Sequence, residues 1–176
     1  MDKFDIFTND EMDEILRMIS PGSPLRRGLD NVLMANTGGL IVVAENDQIL
    51  SLVDGGFELN ADYTPSSLYE LAKMDGAIVL DKNIEKILFA NTQLMPDQNV
   101  STTETGTRHR TAERVARQTK SIVIAISQRR SIITMYKDRK KYVVQDTPTL
   151  FSKANQAFQT LERAKASQEQ AVLNLN

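Results

Sequence analysis

The chain has 176 residues, 41% hydrophobic and 25% charged, the balance of one globular domain with room for a single substantial core. It contains no cysteine, which excludes disulfides, thiolate metal sites and cysteine nucleophiles and fits a reducing compartment. No apolar run approaches the roughly 18 residues of a membrane span, and the opening MDKFDIFTND lacks the apolar stretch of a secretory leader, so a cytoplasmic protein away from membranes is expected.

The elements follow in order. Residues 11–20 place Met12, Ile15, Leu16 and Ile19 on one stripe of a helix, which Pro21-Gly22 ends. Ser23-Pro24 is an N-cap followed by proline at the first helical position, and the helix after it carries Leu25, Leu29, Val32 and Leu33 on one side. Gly38-Gly39 breaks the pattern before a short apolar strand over 40–44. A polar turn at 45–47 leads to a second predicted strand, 49–53, and Asp54-Gly55-Gly56 is another turn. Thr64-Pro65 repeats the cap-plus-proline start for a short helix through Leu71. Residues 77–80 and 84–90 form a pair of strands joined by 81–83. A polar loop is expected over 91–106, then a helix over 108–119 with Ala112, Val115, Ala116 and Thr119 inward. Residues 121–127 and 132–136 are strands turned by 128–130, and 141–145 adds another. Thr147-Pro148 starts a closing helix with Leu150, Ala154, Ala157, Phe158 and Leu161 on its apolar face, expected to fray beyond Arg163. Strands interleaved with helices, several joined by tight turns, predict a single α/β domain with a central mixed sheet flanked by helices. The division expected is a main part at 1–148 and, at 149–176, a closing helix that begins a helical spine.

Charge is uneven. Residues 108–141 hold 11 of the 21 Lys and Arg against Glu113 and Asp138 alone, so that stretch carries +9 and the remainder −11. Such a segment either is a solvated face or meets an anion, phosphate or nucleic acid. No Walker loop or G-x-G-x-x-G occurs, and the single histidine, His109, rules out multi-histidine metal sites. Two clusters remain. Asp75-Gly76-Ala77 stands where a helix passes into a strand; it reads as a plain turn, or as a place where small residues let a ligand approach the backbone while Asp75 offers oxygen to Mg²⁺ or Mn²⁺. Gly106-Thr107-Arg108-His109-Arg110-Thr111 opens a helix, with Thr107 the expected N-cap. Positive side chains in a first turn oppose the helix dipole, a cost that an anion would offset, and arginine forks match phosphate oxygens. Ser127 either caps a turn or bonds a ligand, Arg129 and Arg130 either form a solvated hairpin tip or add charge toward phosphate, and Leu94 either plugs the core or packs on a base. Glu113 is either a helix-compatible acid or a second metal ligand. Few aromatics accompany the basic stretch, Tyr136 alone, which counts against a single-strand nucleic-acid binder, the rival to an enzyme.

The sequence M-D-G-A at 74–77, E-T-G-T-R-H-R-T-A-E-R-V-A-R-Q-T at 104–119, I-V-I-A-I-S-Q-R-R at 122–130 and K-A-N-Q-A-F-Q-T-L-E at 153–162 resembles the diadenylate cyclase family, most closely its DNA integrity scanning branch. The resemblance spans about residues 5–165. It implies condensation of two ATP into cyclic di-AMP, with ATP near Gly76, Ala77, Leu94, Thr107 through Thr111 and Ser127. It further implies that Asp75 binds Mg²⁺ or Mn²⁺ and helps activate a ribose 3′-hydroxyl, while Arg108, His109 and Arg110 handle the phosphates. A homo-oligomer with facing sites, an octamer in the family, is expected. Family members continue into a helical spine and a DNA-binding region, so DNA binding is not expected of these residues.

Overall fold

The computed structural model describes residues 4–44 and 47–173. The chain divides into two units, one ending at Val144 and the other beginning at Gln145.

In the first unit, α1 (Asn9–Met18) starts with a capping box: Thr8 accepts from the Glu11 amide and Glu11 reaches back to the Thr8 backbone. α2 (Pro24–Met34) and α3 (Pro65–Leu71) begin as their cap-plus-proline sequences predict, with Ser23 and Thr64 side chains accepting from Arg26 N and Ser67 N. Eight strands form one mixed sheet: β1 (Gly39–Val43), β2 (Val53–Asp54), β3 (Phe57–Asp62), β4 (Ala77–Leu80), β5 (Lys86–Leu94), β6 (Ile122–Ser127), β7 (Ile132–Lys137) and β8 (Lys140–Val144). Their order is β2-β5-β4-β1-β6-β7-β8, with β3 also paired to β5. β1 and β4 run parallel and the other pairings are antiparallel. The predicted α/β class with a mixed sheet is therefore the observed one.

β1 lies in the middle and all five of its residues are buried, as an apolar run with helices on both faces requires. Its side chains alternate between two cores. Ile41 and Val43 join Ile78, Leu80, Ile124 and Ile126 under Ile15, Leu25, Leu29 and Leu68 of α1, α2 and α3. Leu40 and Val42 join Ala77, Val79, Val123, Ala125 and Tyr136 under Ala112, Val115 and Ala116 of α4 (Thr107–Thr119). Each fully buried Ile or Leu contributes about 1.5–3 kcal/mol, so two such layers fix which face of the sheet each helix covers.

Several expectations change. Residues 49–53 are not a strand: Asp47–Leu52 is a 3₁₀ turn that buries Ile49 and Leu52, three apart, before the two-residue β2. Of the polar turn expected at 45–47, residues 45 and 46 lie outside the described residues. β3 has no counterpart in the sequence reading. β5 starts at Lys86 and runs on to Leu94, because the expected loop residues 91–94 stay in the sheet, while Ile84 sits in the preceding turn with φ +60°.

The second unit is α5 (Thr147–Leu173). Its start is capped by Asp146, whose Oδ1 accepts from Thr149 N at 2.6 Å, one residue before the position expected. It does not fray at 163: Ala, Gln, Glu and Lys are strong helix formers and carry it to Leu173. Phe151, Phe158 and Leu161 are exposed.

Candidate functional site

Leu40, Ala77 and Thr92 are cross-strand neighbours on β1, β4 and β5. They floor a cleft of about 400 Å³. Gly76, Gln93 and Leu94 line it from the sheet, and Thr107, Arg108 and Thr111 from the first turns of α4. Two segments thirty residues apart in sequence thus face one cavity.

The backbone at Gly76 explains half of this arrangement. Its φ is +114°, and a Cβ there would lie 2.8 Å from the carbonyl carbon of Asn91 and 3.0 Å from Thr92 O. Only glycine fits. The adjoining β4–β5 ladder shifts register between Ala77 and Val79, and Asn91 itself has φ +52°. Thr92 is fully buried and donates its hydroxyl to Asp54 O at 3.1 Å, which fixes the cleft floor to β2.

The other half comes from α4. Its N-cap is Gly106, with extended backbone and no side-chain cap, and Arg110 N bonds Gly106 O at 2.9 Å. Thr107 is therefore the first helical residue rather than the cap: glycine is a permitted N-cap and leaves the first amides without the hydroxyl acceptor that Thr8, Ser23 and Thr64 supply at α1, α2 and α3. Free amides and the positive helix end make an anion site. Arg108 lies across Gly38, where any Cβ would run into its guanidinium.

The remaining predicted residues do not line the cleft. Asp75 is exposed beside Gly76, and Arg110 is exposed on α4. His109 is 5% exposed and edge-on to Tyr136, with ring centroids 6.4 Å apart. Burial pushes its proton affinity down; Arg130, Lys141 and Arg108 add to this and Glu104 opposes it. Its Nε2 has no hydrogen-bond partner. Ser127 is half-buried and its Oγ accepts from Arg130 N at 3.3 Å, the turn-capping role. Glu113 is neither a first-turn acid nor turned to the cleft: fully buried, it accepts from Thr102 Oγ1 at 2.5 Å, Thr103 N at 3.1 Å and Arg117 Nη2 at 2.6 Å. Leu40, Thr92, Gln93 and Gly38 were not anticipated. The Gly38-Gly39 pair was the available signal, since two glycines before a buried strand mark a close approach as well as a break.

The basic stretch is mostly neutralised from within. Arg114 bonds the carbonyls of Val100 and Gln98. Arg117, Lys120, Lys137, Arg139, Lys140 and Lys141 pair with Glu113, Asp138, Glu14, Asp5, Glu11 and Glu104. Among the described residues that leaves Arg108, Arg110, Arg129 and Arg130, at the start of α4 and in the β6–β7 turn. Among the described residues no group of three or more His, Cys, Asp or Glu could hold a metal by itself. The single exposed carboxylate of Asp75 suits a hard cation that shares its ligands with phosphate oxygens and water, the usual habit of Mg²⁺.

The family described as DisA bacterial checkpoint controller nucleotide-binding (DAC) matches residues 26–141. The chain is 64% identical over 168 residues to the DNA integrity scanning protein DisA of Clostridioides difficile (strain 630), covering 96% of this chain and 47% of that protein. It is 56% identical over 168 residues to the DisA protein of Acetivibrio thermocellus, with the same two coverages. The chain thus spans about half the length of these curated relatives. Among solved structures, a hypothetical membrane spanning protein from Bacillus cereus superposes with TM-score 0.65 at 22% identity, over 77% of this chain and 70% of that one. DacA from Staphylococcus aureus, crystallised as a double mutant, superposes with TM-score 0.56 at 17% identity, over 81% of this chain and 93% of that one. These two likenesses concern the fold. Among the described residues no helix is long and apolar enough to cross a membrane.

Proposed function

The chain belongs to the diadenylate cyclase (DAC) family, and on that premise we propose that it joins two ATP molecules into cyclic di-AMP with release of two pyrophosphates. The observation that carries the reading is the shared cleft, where Gly76 and Ala77 meet Thr107, Arg108 and Thr111. Its apolar floor of Leu40, Ala77 and Leu94 suits a base. The free amides of α4 and the Arg108 fork suit a triphosphate. Ion pairing of six of the eleven basic side chains weighs against a nucleic-acid grip by the basic stretch, since it leaves fewer free cations for a backbone of phosphates.

Each bond forms when a ribose 3′-oxygen attacks the α-phosphorus of the other ATP. The hydroxyl loses its proton and the bond to pyrophosphate breaks. Positioning and charge stabilisation supply most of the acceleration in such transfers. Arg108, Arg110 and His109 would hold the phosphates, and Thr107 and Thr111 would orient them. Ser127 would stand by the nucleotide from the β6–β7 turn. Asp75 would hold Mg²⁺ or Mn²⁺, a Lewis acid that eases deprotonation of the 3′-hydroxyl. One chain has one such cleft and the product needs two nucleotides, so two protomers would face each other in a homo-oligomer. The exposure of Asp75 and Arg110 leaves both able to meet a nucleotide on the partner.

The test is chromatography and mass spectrometry of ATP incubated with the protein and Mg²⁺ or Mn²⁺. Cyclic di-AMP is expected, and folded Asp75→Asn should lose it. Absence of any dinucleotide from folded, ATP-binding protein with either metal would overturn the reading.

A further inference from the structure

The first turn of α4 rests on a buried polar cluster. Glu104, two residues before the Gly106 cap, has its carboxylate 9% exposed. One of its oxygens accepts from the hydroxyl of Tyr136 on β7 at 2.8 Å and also pairs with the ammonium of Lys141 on β8. The ring of Tyr136 stands edge-on against His109 at an interplanar angle of 83°. One carboxylate therefore ties the segment entering the helix to two strands of the sheet, beside the only imidazole of the chain.

That imidazole is surrounded mainly by cations: Arg108 on its own helix, Arg130 from the β6–β7 turn and Lys141 from β8. Glu104 is the anion that opposes them. The ammonium and hydroxyl bonds outweigh burial and hold the Glu104 carboxyl below its ordinary range, so it stays charged at neutral pH. His109 Nε2 is buried and without a hydrogen-bond partner. A neutral ring has one N–H to donate and a protonated ring has two, so protonation changes which bonds the ring can make as well as its charge.

We propose that Glu104 is the positioning residue for His109: fixed by Tyr136 and Lys141, it keeps a negative charge beside the imidazole so that His109 takes up a proton from solvent as a polyphosphate reaches the start of α4. The inference rests on the polyphosphate reading of the cleft. Without the Glu104 charge, Arg108, Arg130 and Lys141 would act on the ring unopposed, and protonation would be harder in the free and in the occupied site alike.

Because the chain has a single histidine, its imidazole resonance needs no assignment. The experiment is an NMR pH titration of that resonance in the whole chain, with and without inorganic tripolyphosphate, for wild type, Glu104→Gln and Tyr136→Phe. Tripolyphosphate should raise the wild-type midpoint. Glu104→Gln should lower the ligand-free midpoint by about one pH unit, as expected for the loss of an opposing charge in partly buried surroundings, and shrink the tripolyphosphate-induced rise. Tyr136→Phe keeps the ring contact and removes one anchor, so its midpoint should fall by less. A Glu104→Gln midpoint equal to wild type overturns the inference, while a wild-type response to tripolyphosphate in the same series leaves the cleft reading standing. No response of the wild-type resonance to tripolyphosphate overturns both. Should Glu104→Gln fail to fold, Tyr136→Phe decides, and an unmoved midpoint there overturns the proposal.

Discussion

At the scale of single residues, the site depends on what is missing as much as on what is present. Gly38 has no side chain, and Arg108 occupies the space where one would stand. Gly38→Ala should therefore displace the guanidinium, a flexible group that can move, rather than break the fold. The expected result is an unchanged melting temperature within about 2 °C together with ATP affinity weakened about tenfold, as when one charge-assisted contact is lost. Arg108→Lys should weaken binding to a similar degree with Gly38 intact, because lysine keeps the charge and loses the fork. Calorimetric titration with ATP checks both. Full affinity in the alanine variant would mean that Arg108 does not bind triphosphate from its present position.

Between residues and the whole stand the elements, and here the loop at 95–106 is the informative one. It is held along α4 by the helix's own polar side chains. Glu113 takes Thr102 and the Thr103 amide, Arg114 takes the carbonyls of Gln98 and Val100, and Gln118 accepts from Asp97 N at 2.9 Å. Glu113→Ala should release this strap and leave Arg117 without its buried carboxylate partner. Removing one member of a buried pair costs about 3–5 kcal/mol, which for a domain of this size lowers the melting temperature by about 6–20 °C. A scanning-calorimetry shift below a degree or two would show that the strap adds nothing to stability. The sequence could not show this strap, because it consists of contacts between a loop and a helix that local pattern does not encode. What is local was legible: both cap-plus-proline helix starts in the first unit, the apolar runs of β1, β4 and β6, and the inner face of α4. β3 escaped because all six of its residues are exposed and only its pairing with β5 makes it a strand. Polar Asn91, Thr92 and Gln93 hid the end of β5, and those are the residues that shape the cleft floor. Asp75, His109, Arg110 and Ser127, read as site residues, do not line the cleft, whereas Gly76, Ala77, Leu94, Thr107, Arg108 and Thr111, which do, were legible. Leu40 and Thr92 were not, since they look like core and loop until the ladder places them beside Ala77.

For the molecule as a whole, the N-terminal region is joined to the far edge of the sheet by charge. Lys140 holds the Glu11 carboxyl down to about 2, chiefly through its side-chain hydrogen bond, against an ordinary 4.5. A carboxyl depressed in the folded state contributes stability that is present above pH 4.5 and is lost as pH falls toward 2. Glu11→Gln keeps the helix cap and removes the charge, so its melting temperature should lie below wild type at neutral pH and converge with it in acid. A gap that stays constant with pH would assign the effect to the cap instead. The proposed reaction needs two nucleotides, and the described residues bring Gly76, Ala77, Thr107, Arg108 and Thr111 to a single cleft. Only one Asp-Gly-Ala and one Arg-His-Arg occur, without internal repeat, so on the proposed reaction a second chain would complete the symmetry, as a two-fold pair can. On that proposal each cleft would hold its own ATP and the partner's ribose would supply the attacking 3′-oxygen. With 3′-deoxy-ATP alone neither nucleotide has a nucleophile and no bond should form. In a mixture with ATP, one bond should form and the reaction should stop at a linear dinucleotide, beside cyclic product from ATP–ATP pairs. Dilution should lower specific activity once protomers separate. Mass spectrometry of the mixed reaction reads the linear species directly, and light scattering fixes the state of the protein in the same sample. Full activity in a demonstrably monomeric sample would end the two-chain mechanism, because one cleft would then have to present both the hydroxyl and the phosphorus it attacks.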